Sequence, residues 1–216
     1  MSRTAENPLK RNLHNVLQKA INENVLMFCS APDKGKFTGA DYPITPFPHK
    51  LFGIGAANSD GTVFSWTPED LTFILPGVHV SQDQIRSKST QDNGTTNYTG
   101  SNVVTALGAG LAAMILYCLK ASILRIRIAN RNQNVIPAIP TERLEDIMKR
   151  DAMKGAFESL GSQASNKFIQ VWEELEKVTD ILKKWERERG LSHSDASEEF
   201  TKNFIDFGIK LASSVK

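Results

Sequence analysis

Ser101, Asn102 and, one turn further on, Thr105 stand at the head of a long stretch almost without charge, Tyr98 to Lys120. A side chain at the start of a helix is well placed for chemistry, because unbonded N–H groups and the positive end of the helix dipole gather there. A hydroxyl in that place can attack a carbonyl. The carboxamide of Asn102 cannot, since its nitrogen is conjugated with its carbonyl and forms no acyl-enzyme. Ser101, one residue earlier, is rotated by about 100° on a helix, so the two side chains do not face the same way. His14, His49 and His79 could each supply a base, but their contexts read as ordinary surface histidines. Asp33 sits in the turn Ala31-Pro-Asp-Lys-Gly35. Cys29 and Cys118 lie in apolar runs and read as buried thiols without a disulfide or metal. There is no zinc-ligand spacing and no phosphate-cradling loop, and Gly53-Ile-Gly55 is too short for a dinucleotide fingerprint. No cofactor and no metal is expected.

The elements that must hold these residues can be taken from pattern. Residues 9–24 carry an apolar stripe of Leu9, Leu13, Val16, Leu17, Ala20 and Ile21 and predict an amphipathic helix. Val25–Ser30 is a continuous apolar run, which predicts a strand buried on both faces of a parallel sheet. The turn holding Asp33 then lies at that strand's C-terminal end, the edge where sites of open α/β sheets form. Leu51–Ala57, Thr62–Trp66 and Leu71–Leu75 predict three more strands, with a turn at Asn58-Ser-Asp-Gly61. Residues 81–99 are polar and aperiodic and predict a loop. From Ser101 the small residues Ala106, Gly108, Ala109, Gly110, Ala112 and Ala113 and the apolar Leu107, Leu111, Met114, Ile115 and Leu119 predict a central helix of about five turns, buried all round. Residues 121–140 look transitional. Beyond Pro140 the chain is richer in charge, and two apolar seams, Val171–Leu175–Val178–Leu182–Trp185 and Phe200–Phe204–Phe207–Leu211, predict helices.

The chain has 216 residues, 40% hydrophobic and 23% charged, with a formal net charge of +2. That is an ordinary globular composition. So small a charge gives no reason to expect nucleic acid or membrane as a partner. The first residues hold no apolar run of the signal-peptide kind, and the chain is expected to be intracellular. The sequons at Asn93 and Asn97 would matter only on the secretory route.

Gly100-Ser-Asn-Val-Val-Thr105 and the small-residue helix behind it resemble the nucleophile segment of the subtilase family of serine peptidases, Gly-[Ser/Thr]-Ser-x-Ala-[Ser/Thr]. Val104 replaces the small Ala of that pattern, and Asn102 stands where the family has its serine. Further landmarks follow in the family's order over residues 10–120: Val25–Ser30, Tyr42-Pro43, Ile54-Gly55-Ala56, Phe64-Ser65 and Pro76-Gly77-Val78. The version here looks like divergent subtilase domains of fungal intracellular proteins.

The resemblance implies a serine endopeptidase domain acting on peptides or proteins through an Asp–His–Ser triad and an oxyanion hole. It assigns Asn102 to the nucleophile position and Asp33 to the oxyanion position, both substituted. An ionised Asp33 would repel the developing oxyanion. None of the histidines has the family's His-Gly-Thr context, so the triad's acid and base are missing from these residues. The expectation is an α/β fold: residues 1–130 as the C-terminal half of a subtilisin-like domain, a partial parallel sheet with flanking helices, and residues 131–216 as a helical extension. The function implied is peptide-bond hydrolysis, incomplete or degenerate in this chain. The alternative is a non-enzymatic interaction protein that binds another chain through its C-terminal helices.

Overall fold

β2 (Phe52–Ala57) is the strand around which the rest is built, buried at every position. Its residues alternate in size. Phe52, Ile54 and Ala56 share one face, and Gly53 and Gly55 the other. The computed structural model describes residues 8–32, 43–64, 71–82, 96–131, 138–163, 167–170 and 195–213, with Glu176, Asp180 and Lys183 between the last two.

On either side of β2 lie β1 (Phe28–Ser30) and β3 (Phe73–Pro76), both parallel to it, with Phe28 opposite Phe52 and Ile54 opposite Phe73. The fold is therefore α/β with a parallel sheet, as the apolar runs predict, but β1 takes up only Phe28–Ser30 of the run from Val25 and, lying at the sheet's edge, is half-buried rather than buried on both faces. The short hairpin-like pair β4 (Val80–Gln82) and β5 (Thr96–Tyr98) forms a separate antiparallel ribbon. It occupies a region that reads as plain loop, because its residues are polar and pair only with each other. Thr62–Trp66 does not form a strand in its described part. Val63 makes a single antiparallel bridge to Ala57, and Ser65 and Trp66 lie outside the described residues.

α1 (Pro8–Asn22) forms where the apolar stripe predicts it. The stripe is only partly covered, however: Leu13 and Val16 are exposed, Val16 at 64%. α2 spans Ser101–Arg131, three turns beyond its expected end. The alternation of Ile with Arg around residues 123–128 hides the helix. At helical spacing Ile123 and Ile126 turn inward, and Leu124 and Ile128 turn out. α2 packs across β1, β2 and β3 through Val104, Leu111, Ile115 and Leu119. Its opposite face is not covered. Tyr117 is 70% exposed and Leu124 58%, with Leu107 and Ile128 also out. The expectation of burial all round fails because, among the described residues, only one side of the helix meets the sheet and other helices.

After Pro140 come α3 (Arg143–Asp146), α4 (Arg150–Ser159), β6 (Ser162–Gln163), β7 (Phe168–Ile169) and α5 (Asp195–Ser213). The two strands depart from a purely helical extension. β7 joins the sheet parallel to β3, with Ile74 opposite Phe168, and β6 closes that edge antiparallel, giving the order β1-β2-β3-β7-β6. Two-residue strands leave no period to read.

Phe28, Phe52 and Phe73 stack across neighbouring strands, with ring centroids 4.9 and 6.2 Å apart, and Phe157 of α4 covers Phe73 at 5.2 Å. These separations are in the favourable range for aromatic pairs. Ile205, Leu211 and Ala212 of α5 are buried, and α5 lies along α2. A Cβ at Gly208 would collide with the side chain of Ser122, so the two helices approach closely there. Of the two predicted seams, Leu211 is buried and Phe207 half-buried against the core. The side chains of Phe200 and Phe204, and the seam from Val171 to Trp185, lie outside the described residues.

Candidate functional site

The polar head of α2 meets the sheet at the C-terminal ends of β2 and β3. Two glycine peptides make the join. Gly77 N–H donates to Ala57 O and Gly100 N–H donates to Gly77 O, each at 2.9 Å. Val104 then fits against Gly77, where any Cβ would strike Val104 and the Ala56 methyl. The Val at 104, larger than the Ala of the family pattern, is thus accommodated by the absence of a side chain at 77.

Ser101 is fully buried, and its hydroxyl accepts a hydrogen bond from the Ala56 N–H at 3.2 Å. Its carbonyl accepts from the Thr105 hydroxyl at 2.7 Å. The Ser101 Oγ thus joins the start of α2 to β2. Asn102 is exposed. Asp33 and Tyr42 lie outside the described residues, so the two residues assigned to the site are not seen together.

The three described histidines occupy different places, and His193 lies outside the described residues. His14 on α1 lies against Phe47, ring centroids 4.7 Å apart, and is exposed. His49 is exposed in the turn before β2. His79 is also exposed, in a left-handed conformation (φ 55°), and its N–H donates to Thr99 Oγ1 at 3.0 Å. That bond brings His79 near the start of α2. Among the described residues, none of these histidines hydrogen bonds to Asn102.

Beside this junction an apolar groove of about 490 Å³ runs between β3, β4 and the first half of α2, lined by Leu75, Pro76, Val80, Leu107, Gly110 and Met114. Sequence reading missed it, since Val80 belongs to the unforeseen ribbon. Both cysteines are half-buried, and burial pushes the Cys118 thiol up. Among the described residues, no three His, Cys, Asp or Glu side chains gather closely enough to hold a metal ion. One described helix, α2, is long and apolar enough to cross a membrane by length and composition; its inner face packs on the sheet. No family model and no curated protein matches the chain.

Proposed function

We propose that the chain is the C-terminal half of a subtilisin-like peptidase domain, and that these residues alone do not hydrolyse peptides. The observation that carries this reading is the junction just described. A parallel sheet delivers the C-terminal ends of β2 and β3 to the N-terminus of a small-residue helix, and Ser101 is tied down so that Asn102 is the side chain presented to solvent. In the family pattern that presented side chain is the nucleophile. Asn102 leaves the position without a hydroxyl to activate, and a peptide bound there would meet no attacking group.

Two uncovered surfaces support the idea of a half-domain. In the ladder with β2, Phe52 N–H bonds to Met27 O and Ala31 N–H to Ile54 O. Phe28 and Ser30 therefore turn their backbone groups the other way, where no described strand pairs with β1. The outward face of α2, opposite its contact with the sheet, exposes Leu107, Tyr117, Leu124 and Ile128.

The test is a serine-directed fluorophosphonate probe applied to the wild type and to Asn102→Ser, with adducts mapped by mass spectrometry. Neither protein should label, because none of the described histidines is placed to take the proton. Co-expression of Asn102→Ser with the acid- and base-bearing half of a subtilase should restore labelling at position 102. Labelling of the wild type at Ser101 would put the nucleophile one residue earlier and overturn the assignment. A soluble complex of the two halves that never labels would overturn the family reading.

A further inference from the structure

We draw no further inference here: the strongest candidate, the apolar groove between β3, β4 and the first half of α2 together with the bare outward face of that helix, has nothing in the structure to show what covers it.

Discussion

The hydroxyl of Ser101 lies 3.2 Å from the amide nitrogen of Ala56, joining the first residue of α2 to β2 across 45 residues of chain. Both groups are buried. Replacing Ser101 by Ala leaves a buried N–H without its acceptor, a loss of about 1–3 kcal/mol. The urea midpoint should fall accordingly with the slope unchanged. An unchanged midpoint would mean that the bond contributes nothing and that the serine is held there for another reason.

The crossing of α5 over α2 depends on Gly208 having no side chain, since a Cβ there overlaps Ser122. Gly208→Ala gains a little helix propensity but forces the two helices apart. Overpacking of this kind costs about 1–3 kcal/mol, so the packing loss should win. The expected result is a lower melting temperature with helical content preserved in far-ultraviolet circular dichroism. A more stable variant would show that the helices have room to separate.

The head of α2 was legible because its chemistry is local. A polar turn leading into a small-residue run marks a buried helix start whatever lies around it. The partner of Ser101 was not legible, since nothing near Ala56 in sequence marks its N–H as the donor. β2 was equally plain, an apolar run bounded by turn residues, whereas β7 is only two residues long and rests on distant tertiary contacts. The length of α2 was misjudged for a physical reason. Arg125 and Arg127 next to inward isoleucines mimic a two-residue period over too short a window to exclude the helical one.

Exposed apolar residues on α1 and α2 and the open edge of β1 should make the isolated protein associate with itself. Light scattering should rise with concentration. Tyr117→Gln combined with Leu124→Gln should reduce that rise while leaving stability within about 0.5 kcal/mol, as is usual for surface changes. A monodisperse monomer of the wild type at high concentration would refute the expectation.

The turn after β2 should respond to acid. Asp60 accepts from the Thr62 hydroxyl at 2.7 Å and from the Thr62 N–H at 2.9 Å, and these bonds, the hydroxyl's first, hold its carboxyl below the usual carboxylate range. A depressed folded value means that the contribution is present above the unfolded pKa of about 3.9. It is lost as pH falls through the lowered folded value. Exchange of the Thr62 amide with deuterium, corrected for intrinsic rate, should accelerate across that acid window, and Asp60→Asn should flatten the dependence. An unaltered profile in the variant would show that Asp60 is not the group responsible.

The sheet also sets a schedule for the chain as it is made. Lys167 Nζ donates to Leu71 O from 96 residues away, and the strand that follows it completes the edge of β3. Contacts this distant in sequence are the last to repay the entropy of closing the loop between them. During translation β1, β2, β3 and the whole of α2 therefore leave the ribosome before β7 can pair or α5 can cover Ser122. Until then the part of α2 around Ser122 lacks the cover that α5 gives it. The nascent protein passes through a stage in which α2 still shows the apolar surface that α5 later covers as well as its outer face, the kind of state that chaperones recognise and that crowded ribosomes turn into aggregates.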